Sequence, residues 1–361
     1  MQSEPRRRFL KSAGALTFAF GYPGVLRAAI DLPVADAHTH IDMFSPWRSL
    51  FFFPSLKTQM ENSGVMLLSW NIVGDGPWID REPGGLKQRR VPKSGEQASE
   101  LRKNLDSMRG YLTRFGLNYV QTPADIDAAR SGTPHVVIAV EGAGFIADGL
   151  ELVNQAYGDG LRQLQLVHYV RNALGDFQTE PPEHNGMTAL GVDAVKLCNR
   201  LGILVDLAHA TNPVIDKALD VSAAPMIWSH SAITTTRYTW EQTSSLSRRL
   251  HIDYAKKIAQ RGGAVGLWSL KSTVGSSPAG YADELMRMVD AIGSEHVMIG
   301  TDIGGISKSG ITMEGLGDLR KVADVLRERG VDDKTLRAIC FDNYARCLRT
   351  AMQSRKPRGG G

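Results

Sequence analysis

Short apolar or alternating runs recur along the chain, separated by stretches of helical spacing. Eight such runs stand out: 33–40 (PVADAHTH), 65–72 (VMLLSWNI), 135–141 (HVVIAVE), 161–168 (LRQLQLVH), 203–209 (ILVDLAH), 225–230 (PMIWSH), 263–270 (GAVGLWSL) and 296–302 (HVMIGTD). The intervening segments carry helix signals. "SGEQASELRKNLDSMRGYLTRFG" opens on a Ser94–Gln97 capping box, and "TALGVDAVKLCNRLG" stops at Gly202, a C′ glycine. "NPVIDKALD" offers Asn212 as N-cap with Pro213 at the first helical position, and three more helical patterns occupy 281–293, 315–330 and 332–352. Strand runs alternating with helices predict an α/β fold with a parallel sheet, and eight is the number that closes a (β/α)8 TIM barrel. The rival, an open doubly wound sheet, lacks the Gly-rich phosphate turn expected after its first strand.

The polar positions fall unevenly on this frame. Asp36, His38 and His40 lie two apart, so they share one face of the first run. Glu141 ends the third run, His168 the fourth, His209 the fifth, His230 the sixth and Asp302 the eighth. In a barrel those ends converge on the C-terminal rim, where catalytic groups sit. A single buried histidine is ordinarily a satisfied core residue. Histidines that choose the ends of successive strands are not explained that way. His184, His251 and His296 read as incidental, His135 as structural at the opposite rim, and Asp206 as structural.

Four histidines and a carboxylate suit a borderline cation such as zinc. A carboxylate can bridge two ions, and two ions about 3.5–4 Å apart can hold a shared hydroxide. Metal binding brings the water's pKa near neutrality. Asp36, on the face of His38, is placed to orient a ligand imidazole.

Length and composition narrow the picture. The chain has 361 residues, 42% apolar and 22% charged, which suits one large barrel. Its three cysteines, Cys198, Cys340 and Cys347, are too few and scattered for a disulfide framework or a thiolate metal site. "RRRFLKSAGALTFAFGYPGVLRAA" has the layout of an export signal, and Arg6–Arg7 with Phe9, Leu10 and Lys11 resemble the twin-arginine motif. Cleavage is expected after Ala28 or Ala29, and the product would be periplasmic or held at the cell envelope. Residues 1–29 hold the whole net charge of +4, and the remainder has 37 basic and 37 acidic residues. The basic balance therefore gives no reason to expect a nucleic-acid partner. The expected organisation is an export signal at 1–29, one metallohydrolase domain at 30–352 without a transmembrane span, and a disordered tail at 353–361. The long Gly- and Pro-rich segment 74–93 reads either as a lid or binding loop or as a structureless insertion.

Three stretches, "GMTALGVDAVKLCNRLGILVDLAHA", "PMIWSHSAI" and "HVMIGTDIGGI", closely resemble the renal-type membrane dipeptidases, peptidase family M19 of the amidohydrolase superfamily. The likeness covers most of 34–350 and is strongest from 186 to 232. It implies a binuclear zinc site at the rim of a (β/α)8 barrel, with ligands at His38, His40, the bridging Glu141 of "VEGAG", His209 and His230. It further implies a substrate-polarising histidine at His168 and a proton-transferring aspartate at Asp302. An arginine for the substrate carboxylate falls at Arg249 in "SRRLH", with Arg248 and Arg237 as alternatives. The chain departs from the family pattern at His40, usually Asp, at Gly304, where a second Asp often stands, and in a longer 231–248 segment.

The resemblance therefore implies metal-assisted hydrolysis of a dipeptide or another N-acyl amino acid, with a bridging hydroxide as nucleophile. A homodimer is compatible with it. Lactone or phosphoester hydrolysis is a second reading. Many relatives of that kind bridge their metals with a modified lysine from the fourth strand, where this chain has "LQLVHY". A secreted metal-binding protein without catalysis is a third, motivated by positions 40 and 304.

Overall fold

In the computed structural model the chain is described over residues 32–43 and 54–355. The expected export signal lies outside those residues. Of the expected tail at 353–361 only residues 353–355 are described, and the last helix, Asn343–Gln353, reaches the first of them.

Eight strands follow one another in sequence order around one parallel sheet: β1 (Val34–Thr39), β2 (Val65–Val73), β3 (His135–Glu141), β4 (Leu161–Gln165), β5 (Leu204–Asp206), β6 (Ile227–Ser231), β7 (Ala264–Leu267) and β8 (Val297–Ile299), and a ninth, two-residue strand, Asn118–Tyr119, pairs beside the start of β3. The sheet curls until its ends meet. Thr39 bridges Ile303 in parallel, the Asp302 N–H donates to the His38 carbonyl at 2.9 Å, and the His40 N–H donates to the Ile303 carbonyl at 2.7 Å. This seam makes a nearly closed TIM-type barrel. Helices separate most of the strands along the chain.

Most strands are shorter than their apolar runs. His168, His209 and Asp302 each lie three residues beyond the end of their strands and His40 one beyond, whereas His38, Glu141 and His230 lie within the ladder. The two that leave most sharply have left-handed backbones, φ 70° at His209 and 59° at Asp302. Between β7 and β8 the sheet is drawn tight. A Cβ on Gly266 or Gly300 would come within 1.8 or 1.7 Å of the Ser229 carbonyl oxygen, so only glycine permits that approach to β6.

Two apolar layers hold the barrel. One lies between strands and outer helices. The other joins Ala35, Val137, Leu204, Ile227, Ala264 and Met298, near the strand beginnings, to Phe341, Tyr344, Leu348 and Met352. The last helix packs across β1, β4, β5, β7 and β8 and plugs the floor. Helix Ala189–Leu201 ends on Gly202 in the left-handed region, as its sequence predicts. The Ser94–Gln97 capping box does not form. Ser94 Oγ instead donates to Asp148, and Gly95 is the N-cap of helix Glu96–Phe115. The helix at Asn212–Val221 takes Thr211 as its cap, one residue earlier than expected. Segment 74–93 contains a β-hairpin, Ile79–Glu82 paired with Gly85–Gln88, rather than a structureless loop.

Candidate metal centre and catalytic pocket

Glu141, 2% exposed, ends β3 at the centre of the rim, and five imidazole Nε2 atoms surround its carboxylate. Oε1 lies 3.5 Å from His38, 3.3 Å from His209 and 3.6 Å from His230. Oε2 lies 3.2 Å from His40 and 3.4 Å from His168. The imidazoles include two close pairs, His38 with His40 at 3.1 Å and His209 with His230 at 3.3 Å between Nε2 atoms. Asp302 Oδ1 is 3.6 Å from His40 Nε2 and 4.0 Å from His38 Nε2.

The opposite ring nitrogens are held from behind. His40 Nδ1 donates to the Asn71 carbonyl at 2.9 Å, and His168 Nδ1 donates to Asp75 Oδ1 at 2.6 Å. Ser229 Oγ lies 2.8 Å from His230 Nδ1 and 3.2 Å from His38 Nδ1, so one hydroxyl touches a ring from each pair. Asp206 accepts from the Ala208 and Ser229 N–H groups at 3.0 Å, which ties β5 to β6. His209 Nδ1 is buried without a partner among the described residues.

Two positions act differently from expectation. Asp36 does not reach an imidazole ring. It accepts from the His38 N–H at 3.1 Å and from the Thr301 N–H and hydroxyl at 3.0 and 2.5 Å, and so fixes the backbone of His38 across the seam. Asp75, which sequence patterns did not single out, is 2% exposed and does orient a ring. Its Oδ2 accepts from the Tyr169 and Val170 N–H groups at 3.1 and 3.0 Å. Its one sequence signal is a position just past β2, in the long segment noted above.

Electrostatics follow from burial. His38, His209 and His230 lie well below the usual imidazole range. Burial is the largest cause for all three, reinforced by neighbouring cations and imidazoles. They are neutral, with Nε2 lone pairs turned toward the site. Burial also opposes charge on His40 and His168, but Glu141 with Asp302 at the first, and Asp75 with Glu141 at the second, raise both. Burial pushes Glu141 up, yet the surrounding histidines outweigh it and hold the carboxyl well below its usual range. Burial raises Asp302 to about 6.

The rim opens into a pocket of about 520 Å³, walled by the hairpin, Trp268, Leu270 and residues 304–307. Of the three arginines considered, Arg248 faces it. The residue is 6% exposed, packs over Trp268 and Tyr169, donates to Tyr169 Oη at 3.3 Å and brings Nη2 to 2.5 Å from His230 Nε2. Arg249 and Arg237 line a different cavity, and Arg237 pairs with Asp253 at 2.9 Å. The reason is local: Ser231 Oγ donates to the Arg248 carbonyl, and the chain enters a short strand pairing at Leu250, so successive side chains diverge.

The donor set fits metal ions. Four ligands at 2.0–2.1 Å in a tetrahedron are spaced about 3.3 Å apart, and the contacts above run from 3.1 to 3.6 Å. Four of the five rings are held through Nδ1, which turns their Nε2 atoms toward one another and a carboxylate. That arrangement is repulsive unless positive charge lies between them. The Arg248 guanidinium against His230 already shows the site drawing a cation. Three overlapping donor groups emerge: His38–His40–Asp302, His38–Glu141–His230 and Glu141–His168–His209. Distance alone does not separate His168 from the other imidazoles.

A parallel β/α barrel with this rim is a metal-dependent hydrolase. A family profile described as membrane dipeptidase, peptidase family M19, matches residues 93–358. Dipeptidase verJ of Clonostachys rogersoniana is 30% identical over 345 residues, covering 90% of this chain and 85% of that protein. Dipeptidase 3 of Mus musculus is 28% identical over 349 residues, covering 90% of this chain and 66% of that protein. A metallopeptidase from Rhodobacter sphaeroides, solved with a phosphinate mimic of the dipeptide L-Ala-D-Ala, shares the fold with a TM-score of 0.73 at 20% identity, over 89% of this chain and 99% of that one. The chain belongs to the membrane dipeptidase family. It is a hydrolase of the metallopeptidase class whose substrates are small molecules. Among the described residues no helix is long and apolar enough to cross a membrane.

Proposed function

We propose that the chain hydrolyses dipeptides bearing a free C-terminal carboxylate, with two zinc ions as its cofactor. His38, His40 and Glu141 would hold one ion, and Glu141, His209 and His230 the other. When bound, the ions activate water and polarise the scissile carbonyl. Arg248 takes the substrate carboxylate, its guanidinium plane set by Trp268 and Tyr169. Asp75 holds the His168 Nδ1–H and stabilises the imidazolium form, whose Nε2–H donates to the developing oxyanion. Asp302 accepts the proton of the attacking water and returns it to the leaving amine. The 520 Å³ pocket suits two residues rather than a longer peptide. The mimic bound by the Rhodobacter sphaeroides relative supports a small dipeptide of the Ala-Ala kind.

The observation that carries this reading is the gathering of five imidazoles, Glu141 and Arg248 around one pocket. A panel of dipeptides and their C-terminal amides tests it with metal-loaded protein. Free dipeptides turn over and amides do so far more slowly. Asp302→Asn keeps its metal and loses kcat by about 10²–10⁴-fold. Full turnover in that variant removes the proton role from Asp302. We also propose export through the twin-arginine route, supported by Arg6 and Arg7. Changing both to lysine should retain the protein in the cytoplasm, and unaltered export of that variant rules the route out.

A further inference from the structure

A second cavity of about 330 Å³ lies behind the rim and shares no lining residue with the catalytic pocket. Its charged groups are mostly spoken for. Arg237 pairs with Asp253, Glu180 pairs with Lys87 at 3.1 Å, and Asp176 accepts from three backbone N–H groups. His251 sets Nδ1 3.2 Å from Asp253 and Nε2 3.1 Å from the Thr235 carbonyl. Arg249 is the exception. Its guanidinium has no ion pair or hydrogen bond among the described residues, and its Nε is buried.

Two buried acceptors in the same lining are also without partners, Gln178 Oε1 and Thr211 Oγ1. The Gln178 assignment is fixed by its other end, because Nε2 donates to the Arg249 carbonyl at 3.4 Å. Buried polar atoms in folded proteins are rarely left unpaired, and each exception calls for a reason. At the mouth stands Trp240, 42% exposed, beside Tyr238.

We propose that this cavity is a binding site for one free α-amino acid with a large apolar side chain. The unpaired cation of Arg249 takes the α-carboxylate. Gln178 Oε1 and Thr211 Oγ1 accept from the α-ammonium. Trp240 covers the side chain. A volume near the lower end for ligand pockets suits a single residue, not a peptide. The site does not depend on the catalytic reading, since binding requires no turnover.

Equilibrium dialysis of L-phenylalanine against the metal-loaded full chain tests it, with and without saturating phosphinate dipeptide mimic in the catalytic pocket. One equivalent should bind saturably with the mimic present. Phenylacetate, lacking the ammonium, and phenethylamine, lacking the carboxylate, should each bind at least tenfold more weakly. Arg249→Gln should lose at least tenfold in affinity while its melting curve shows a folded protein. Should that variant fail to fold, Trp240→Ala on the exposed rim should remove the preference for L-phenylalanine over glycine. No saturable binding beside the mimic, equal binding of phenylacetate, or unchanged affinity in Arg249→Gln or unchanged preference in Trp240→Ala overturns the proposal. Failure of the mimic itself to bind counts against the catalytic reading instead.

Discussion

The floor and the rim of the barrel are equally buried but are built on opposite principles. At the floor, Ala35, Leu204, Ala264 and Met298 meet Tyr344 and Leu348, nearly all apolar. At the rim, Glu141, five imidazoles and Asp302 replace apolar contact with facing lone pairs and carboxylates, and His209 and Asp302 adopt left-handed backbones. Such a backbone costs an ordinary residue about 1–2 kcal/mol. The rim is therefore not self-supporting. The floor and the outer apolar layer hold it, and a polar thread joins the two ends: Tyr344 Oη donates to Gln163 at 2.7 Å, Gln163 Nε2 reaches Asp206 at 3.4 Å, and Asp206 accepts from the Ser229 N–H at 3.0 Å.

The contrast can be broken from the rim side first. Glu141→Gln should lose bound metal and about a thousandfold or more in kcat/KM together, a loss of several kcal/mol in transition-state stabilisation, while the melting temperature of metal-free protein holds. Metal analysis with dipeptide kinetics reads both. A variant that kept full metal would deny Glu141 its central place. From the floor side, Leu348→Ala should destabilise by roughly 2–5 kcal/mol in denaturant unfolding, yet leave KM and metal content of the folded fraction unchanged. A shifted metal affinity there would mean the two ends are not separable.

Ser229→Ala sharpens the comparison, because its hydroxyl touches a ring from each imidazole pair. Loss of a group that orients metal-binding imidazoles lowers metal affinity about 10–100-fold, to be read by competition with a chromophoric chelator. Both ions should weaken together, since His38 and His230 belong to different pairs. Weakening of only one would contradict the shared contact.

The smallest effect lies away from both ends. Arg90 pairs with Glu96 at 2.6 Å, and this bond, with the Lys93 N–H, draws the Glu96 carboxyl down to about 2. Its folded value is below the unfolded one, so the stabilisation is present above about 4.5 and fades as pH falls toward about 2. The melting difference between wild type and Arg90→Gln should be small at pH 6, shrink through that window and diminish with salt. A difference that grows on acidification would reverse the sign of this account.

Much of this was legible in the chain because strand pattern and polar residue coincide. The eight runs mark the eight strands, and an ionisable residue at a run's end lies at the rim even where, as at His168, the ladder has stopped. Ladder length was not legible, since apolar residues such as Leu166 and Leu207 are buried beyond the paired positions. Asp75 was missed because nothing near it in sequence marks the partner it finds 93 positions later. Arg248 and Arg249 are identical neighbours, and only the Ser231 bond and the pairing at Leu250 decide which faces the pocket. Ser229 and Asp206 looked like ordinary strand residues. The contact of Ser229 with the His38 imidazole, on β1, exists only once the barrel closes.

The seam carries a consequence for how the molecule is made. Thr39 and Ile303, whose contact closes the sheet, stand 264 positions apart, and the backbone of His38 is fixed by a partner in that same late stretch. On the ribosome the first imidazoles emerge long before the residues that will pin them. A growing chain can thus close its barrel, and fix the backbone of His38, only after residues 301–303 have been synthesised.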